Sequence, residues 1–295
     1  MATLAPTLGQ QAPRSPRARA VRRHIFIYLG LIPFMIIAVG PVIWMAITAI
    51  KQDSDLYLVG AIPFWFNQPP TWKNFDFLFN NTFYRDWIVN TMAISFWVST
   101  ITLLTAVPAG YALARLRLPF AENLGIAIFM TYLVPAIILF IPLARVVSEL
   151  GLQDSWWALV VVYPTFTIPF CTWLLMGFFK TVPFEIEEAA MVDGCGQLGA
   201  LLRVVLPVSW PGLITAVIFS FTLSMQDFLY SLAFVSISEE KPVPLGVATE
   251  LIRGDIYFWG SLMAGALLAS IPIVIIYVLF LDYYVSGLTA GAVKG

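Results

Sequence analysis

The chain has 295 residues, of which 60% are hydrophobic and only 11% charged, with a net charge of −1 and a mean hydropathy of +0.85. Soluble domains carry roughly 25% charged residues. This composition therefore excludes an ordinary water-soluble domain and predicts a chain whose outer surface faces lipid.

The N-terminal residues 1–24 form a basic tail with no acidic residue. Its five arginines are Arg14, Arg17, Arg19, Arg22 and Arg23. A long apolar segment follows at once, so anchoring at the cytoplasmic face is favoured over nucleic-acid binding. That segment has about 26 residues, whereas the core of a signal peptide has roughly 7–15. We therefore expect a retained membrane helix rather than a cleaved signal.

Six segments are long and uncharged enough to cross a bilayer, since a helix needs about 20 residues to do so. Each must be helical, because an open strand in lipid would leave its backbone polar groups unsatisfied. The sequence thus predicts an all-α membrane protein with six transmembrane helices. The predicted spans are Ile25–Ile50, Trp87–Ala114, Leu124–Ala144, Ser155–Phe179, Val204–Gln226 and Ile256–Leu281.

Lysine and arginine counts predict the orientation. With the N-terminus inside, ten of these residues lie on the cytoplasmic side and six outside. We expect both termini in the cytoplasm of a bacterium and the chain in its inner membrane. The first span is then residues 25–50, a periplasmic loop covers 51–86, the remaining core covers 87–285, and a C-terminal tail covers 286–295.

The periplasmic loop is rich in aromatic residues, among them Trp65, Trp72 and Trp87 at its end. Such rings are favoured at the headgroup level of a membrane. Contact with an external partner is the second interpretation of this loop.

Metal and thiol chemistry have little support in the sequence. Cys171 lies within an apolar span and Cys195 in a loop, so we expect no disulfide between them, and neither has a metal-ligand spacing. The single histidine, His24, has no acidic or cysteine neighbour. We expect no metal, no cofactor and no catalytic residue.

The most informative segment is residues 181–207, between the fourth and fifth spans. Pro183 suits a helix start, the acidic Glu185, Glu187 and Glu188 favour the positive end of a helix dipole, and Gly194 is a stop signal. These signals predict a helix of about three turns from Pro183 to Asp193.

A second short helix is predicted directly after it, with Pro207 opening the fifth span. Its apolar positions recur at helical spacing: Leu198, Leu201, Leu202 and Val205. Two short helices in series would lie along the inner membrane surface. Spacing alone leaves two interpretations open, an amphipathic connector or a ledge for a cytoplasmic partner.

This segment also carries a motif. Glu188-Ala189-Ala190 is followed after three residues by Gly194, and after nine more by Val204-x-Leu206-Pro207. The pattern resembles the EAA signature of permeases in binding-protein-dependent ATP-binding cassette importers, with Val in place of Ile. The run Met191–Gly194, the run Pro211–Leu213 and the C-terminal Gly287–Gly295 are similar to carbohydrate permeases of the maltose-transporter small-subunit type.

The resemblance implies a role for each matching residue. The 181–206 loop would be a cytoplasmic coupling helix docked on an ATPase subunit, with Glu188 meeting a basic residue and Ala189 and Ala190 packing closely. Gly194 would make the turn, and Asp193, Leu206 and Pro207 are the other coupling residues that the resemblance implies. It also implies as partners a second permease subunit, two ATPase subunits and a solute-binding protein that delivers a sugar or polyol.

The fifth span departs from the family pattern. Such permeases commonly carry Trp-Asn-Glu/Asp-Phe, whereas this chain has Met225-Gln226-Asp227-Phe228. An acid inside a membrane segment suggests function by default. Asp227 is thus a candidate for the substrate path or for pairing with a neighbouring helix, and Gln226, Tyr230 and Ser224 are weaker candidates.

Two other classes of protein fit less well. A secondary transporter or channel would usually show inverted repeats or several intramembrane charges, and Asp227 is the only strong candidate. A membrane enzyme needs a nucleophile, base or metal cluster near one interface, and none is visible. None of the five lysines follows a glycine, so the chain lacks the phosphate-binding motif. We therefore expect separate subunits to hydrolyse ATP.

Overall fold

The structure is a computed structural model that describes residues 16–290 apart from 58, 59, 61, 63 and 117, and only the backbone helix of 16–22, 282 and 284–290. The predicted tail residue Arg14 and the last residues of the predicted C-terminal tail, 291–295, lie outside the described residues.

The described chain is mostly helical, with one short β-hairpin. Its elements are α1 Pro16–Ala49, α2 Asp53–Leu56, α3 Lys73–Asn80, α4 Tyr84–Arg115, α5 Ala121–Tyr132, α6 Ala136–Glu149, α7 Trp157–Val162, α8 Pro164–Thr181, α9 Phe184–Val192, α10 Gln197–Ala200, a π-helix Leu201–Val205, α11 Leu206–Val208, α12 Trp210–Gln226, α13 Leu229–Phe234, a 3₁₀ turn Ser238–Glu240, α14 Val243–Glu250, β1 Ile252–Arg253, β2 Ile256–Tyr257 and α15 Trp259–Ala290.

Four helical segments of the described chain are long and apolar enough to cross a membrane. They are residues 23–49, 84–115, 157–181 and 259–281. Two further helix pairs meet the same criterion only if each bent pair counts as one span, which brings the total to as many as six. The predicted second span falls within one of the four, and the predicted first and fourth spans each match one of them to within two residues at either end.

The third predicted span, Leu124–Ala144, is not one continuous helix. The chain breaks after Tyr132, and α5 and α6 meet at 88°. Pro135 explains the break, because it has no N–H for a helical hydrogen bond and disfavours the helical conformation of the residue before it.

The fifth and sixth predicted spans also begin later than expected. The bend of 81° before α12 lies at Ser209, so Pro207 belongs to the short helix before the bend and does not open the span. At the sixth span, Ile256 and Tyr257 pair with β1 as a hairpin, and α15 begins only at Trp259. Apolar composition could not distinguish a two-residue strand from the start of a helix.

Helix α4 is the centre of the bundle and packs against both α8 and α12. Hydroxyl pairs join these helices: Thr102 and Thr167 lie 2.5 Å apart, and Ser220 donates to Ser99 at 3.0 Å. Such small polar residues let helix backbones approach closely in a membrane. The two ends of α4 define two ends of the molecule. The loop end comprises residues 182–209, which contact α4 at Arg115, and the far end comprises the described residues of 50–83 and 235–258, which contact α4 near Trp87.

At the far end, one predicted interface residue is instead part of the core. Trp65 and Trp72 are 66% and 73% exposed, but Trp87 is fully buried, and its indole N–H donates to the Ser238 carbonyl at 2.6 Å. The interfacial interpretation is therefore wrong for Trp87.

A polar cluster also lies at the far end. There the Asn67 amide, and to a lesser extent the Lys51 ammonium, hold the pKa of Asp55 below its usual range.

Candidate functional site: the loop end and helix α9

Helix α9 forms within one residue of its predicted bounds. It runs from Phe184 to Val192, with Pro183 as the residue before it and Asp193 as the residue after it. Two glutamates lie in its first turn, Glu185 and Glu187, where a negative charge stabilises the positive end of the helix dipole. The sequence signals for this helix are thus sufficient to explain it.

A tight stop ends α9. Gly194 has a φ of +90°, which residues with a side chain rarely adopt. Its N–H donates to the Met191 carbonyl at 3.1 Å, and the N–H of Cys195 donates to the Ala190 carbonyl at 3.0 Å. This pair of hydrogen bonds is the Schellman motif. The direction in which the chain leaves α9 is therefore fixed by the backbone of Gly194.

We expect Gly194→Ala to loosen this stop. Nothing lies within 4 Å of a Cβ placed on Gly194, so the cost is backbone strain alone, about 1–2 kcal/mol for a left-handed residue. The change should lower the free energy of unfolding by that amount, measured by denaturant titration in detergent. Gly196→Ala is the matched control, since Gly196 has a φ of −71° and equal space. Equal stability of the Gly194 variant and the control would contradict the assignment.

The chain between α9 and α12 is irregular. It comprises α10, the π-helix and α11, and the N–H of Leu206 reaches the Leu201 carbonyl five residues back. Only half of the predicted apolar face is buried: Leu201 and Val205 are 3% and 0% exposed, whereas Leu198 and Leu202 are 67% and 55% exposed. π-Turns of this kind are frequent at functional sites.

The residues of the EAA motif are mostly on the surface. Glu188, Ala189, Asp193, Gly194 and Pro207 are exposed, while Ala190 and Leu206 are half-buried. Val192, in the last turn of α9, is 87% exposed, and Ile186 is 44% exposed. The exposed side of α9 therefore presents carboxylates and uncovered apolar side chains together.

One residue of α9 points the other way. Glu187 is 2% exposed, and its carboxylate accepts a hydrogen bond from the Tyr111 hydroxyl and lies 3.2 Å from Nε of Arg115. Neither α4 residue was singled out as a functional candidate from the sequence. A signal was available, because Tyr111 and Arg115 are four residues apart and so share one helix face, but nothing in the pattern paired them with Glu187.

Asp227 lies where the chain breaks between α12 and α13. Its carboxylate accepts hydrogen bonds from the Tyr163 hydroxyl at 2.8 Å and from the backbone N–H groups of Tyr230 and Ser231 at 3.0 and 3.3 Å. These contacts join α12, α13 and the junction of α7 with α8.

The other candidates for the substrate path differ in accessibility. Tyr230 is buried and donates its hydroxyl to the Ala136 carbonyl at 2.5 Å, and Ser224 donates to carbonyls of its own helix. Gln226 is exposed and lines two cavities of about 500 and 220 Å³. Among the described residues, no group of three or more His, Cys, Asp or Glu could hold a metal ion.

Comparison with known proteins identifies the family. Residues 106–289 match the family described as the binding-protein-dependent transport system inner membrane component. The chain is 34% identical over 256 residues to the sulfoquinovosyl glycerol transport system permease protein of Agrobacterium fabrum, which covers 86% of this chain and 88% of the relative. It is 31% identical over 280 residues to the trehalose/maltose transport system permease protein of Thermococcus litoralis, covering 93% and 98%.

A solved structure agrees in fold. A chain of a bacterial ATP-binding cassette transporter involved in the import of the acidic polysaccharide alginate superposes with a TM-score of 0.73 at 19% identity, covering 94% of this chain and 100% of that one. The sequence matches extend over both α9 and the bent helices that precede and follow it. The chain is therefore a multi-pass inner membrane protein that belongs to the binding-protein-dependent permeases of carbohydrate ATP-binding cassette importers.

Proposed function

We propose that this chain is one of two different permease subunits through which a sugar or related polyol crosses the inner membrane, driven by two separate ATPase subunits. The observation that carries the proposal is the exposed side of α9, where Glu188 and Val192 lie on a helix whose C-terminal end is held by the Schellman motif. A helix that transmits force to the membrane spans needs a defined connection to them, and the Schellman motif fixes the direction in which the chain leaves α9.

The topology follows from the same proposal. Counting α5 with α6 as one bent span, and residues 197–208 with α12 as one bent unit whose crossing part is α12, gives six crossings. Lysine and arginine counts support a cytoplasmic location for the N-terminus, α9 and the C-terminus. The domain bounds are those predicted above, with the loop 181–206 as the coupling segment.

The energy source lies in the partner subunits. An exposed carboxylate beside apolar side chains fits a basic residue surrounded by an apolar cleft, because charged pairs gain strength where water is excluded. In this arrangement Glu188 forms the ion pair, Ala189 and Ala190 allow close approach, and Val192 fills the apolar part of the cleft. The C-terminal tail, 286–295, is a second proposed contact with the ATPases.

The substrate class rests on the named relatives. Their names specify sulfoquinovosyl glycerol, and trehalose and maltose. A solute-binding protein would deliver the sugar at the far end, as the family description implies.

Gln226 is the proposed sugar contact of this chain. We expect Gln226→Leu to lower the uptake rate about fivefold, since losing one hydrogen bond costs about 1 kcal/mol. Uptake of radiolabelled sugar into proteoliposomes measures the effect. Ser224→Ala is the control and should stay within twofold, because that hydroxyl already bonds its own helix. Native uptake by the Gln226 variant would remove Gln226 from the path.

The function as a whole is tested by reconstitution. The chain is purified with its second permease and ATPases and is placed in vesicles. The binding protein and the sugar are added outside the vesicles, and ATP is enclosed inside them. ATP-dependent sugar accumulation supports the proposal. Accumulation that needs an ion gradient and no ATP would instead identify a secondary transporter.

A further inference from the structure

A buried polar cluster connects α9 to the loop end of α4. Of the nine residues of α9, all described, Glu187 alone is buried. One carboxylate oxygen accepts a hydrogen bond from the Tyr111 hydroxyl. The other faces Nε of Arg115 at 3.2 Å as an ion pair, at an angle that does not make a hydrogen bond. The side chains of Arg115 and Glu187 are 7% and 3% exposed.

The two α4 residues also hold the segments on either side of α9. Arg115 donates to the Val182 carbonyl at 2.6 Å, at the end of α8, and its guanidinium lies 5.7 Å from the centre of the Phe184 ring. The Tyr111 hydroxyl is 3.4 Å from the Gln197 carbonyl, at the start of α10. The cluster thus contacts the chain before, within and after α9.

The chemistry of this cluster fixes the position of α9 more strictly than apolar packing would. An apolar side chain can slide between neighbours, whereas a hydrogen-bonded charge has few alternative geometries. Removing either partner leaves the other charge buried and unpaired, which is strongly unfavourable. Helix α9 therefore has one well-defined position on α4.

From α4 the contact continues into the bundle. The same helix is joined to α8 by Thr102 and Thr167 and to α12 by Ser99 and Ser220. A displacement of α9 would be passed to α4 and from there to two neighbouring spans. If the contact between α9 and α4 were loose, α9 could move while the spans stayed in place.

We infer that Glu187, Arg115 and Tyr111 are positioning residues that make α9 and the loop end of α4 move as one body, so that ATPase closure is converted into opening of the spans. This inference rests on the proposed docking of ATPases on α9. It assigns to the buried Glu187 a role different from that of its exposed neighbour Glu188: Glu188 holds the ATPase, and Glu187 transmits the movement.

The test measures coupling rather than activity alone. The complete importer, with second permease, ATPases and binding protein, is reconstituted in proteoliposomes, and the ATP hydrolysed per sugar imported is determined. We expect Glu187→Gln to raise that ratio at least threefold while ATPase co-purification stays within twofold of native. Glu185→Gln, the same change at an exposed position of the same helix, should leave the ratio unchanged.

A second variant guards against misfolding. Tyr111→Phe keeps the ring that packs 6.3 Å from Phe179 and removes only the hydroxyl. It should raise the ratio about twofold. Native ratios in both Glu187→Gln and Tyr111→Phe would overturn the inference. Loss of the ATPases from Glu187→Gln would also overturn it, because Glu187 would then be a docking residue. A native chain that binds no ATPase would instead refute the proposed function beneath it.

Discussion

Glu188→Lys is expected to abolish recovery of the ATPase subunits with this chain. The carboxylate lies on the exposed side of α9 next to uncovered apolar residues such as Val192. Replacing it with an ammonium turns an attraction to a basic partner into repulsion in a site from which water is excluded. Losing a buried interfacial charge pair costs about 2–5 kcal/mol, or roughly 30-fold to several thousand-fold in affinity. Purification through a tag on this chain, followed by quantification of the co-eluting ATPase, measures the effect.

Two controls separate charge at this position from charge in general. Glu188→Gln preserves the shape of the side chain, and we expect partial retention of the ATPase. Glu122→Lys places the same charge reversal on an exposed residue of a different helix, in the first turn of α5, and should leave recovery unchanged. Equal recovery with native and Glu188→Lys chains would remove Glu188 from the docking site, although the importer function would survive.

Local signals account for the parts of the fold that sequence could predict. Pro183, the first-turn glutamates and Gly194 define α9 within one residue, because a helix start and stop depend on neighbouring residues only. Apolar length likewise located the membrane segments. The length of an apolar segment does not predict where the span bends. Pro135 and the prolines flanking Ser209 allow a break, but whether a proline kinks a helix or ends it depends on what packs against it.

Long-range pairing is the other part that sequence could not supply. Glu187 and Tyr111 are 76 residues apart, and Trp87 reaches a carbonyl 151 residues away. From the sequence, Arg115 was only a positive charge near a membrane surface and Trp87 only an interfacial ring. The match to the EAA motif located the exposed residues of the proposed docking site, whereas the role of the buried Glu187 on the same helix became visible only from its contacts.

Asp227→Ala is the second substitution for which we expect a large effect, here a loss of stability. It accepts hydrogen bonds from the Tyr163 hydroxyl and from the N–H groups of Tyr230 and Ser231, at a point where the helix ladder is interrupted. We expect Asp227→Ala to lower the free energy of unfolding by about 3 kcal/mol, because hydrogen bonds to charged groups contribute roughly 1.5–3 kcal/mol and their donors would stay unpaired. Denaturant titration in detergent measures this change.

Asp227→Asn distinguishes a structural carboxylate from one that binds sugar. The amide oxygen can still accept from Tyr163 and the backbone, so a structural role predicts a loss of about 1 kcal/mol and uptake within twofold per folded importer. Tyr163→Phe removes the other partner of this hydrogen bond, the Tyr163 hydroxyl. The interaction energy of the two changes in a double-mutant cycle should lie near 0.6–1.7 kcal/mol, the range from the mean to the maximum for hydrogen bonds between membrane helices. A stable Asp227→Ala chain that has lost uptake would show the opposite, that the carboxylate contacts the sugar. The three donors that already face it favour the structural role, because all three bind Oδ2 and so tie the carboxylate to Tyr163 and to the start of α13.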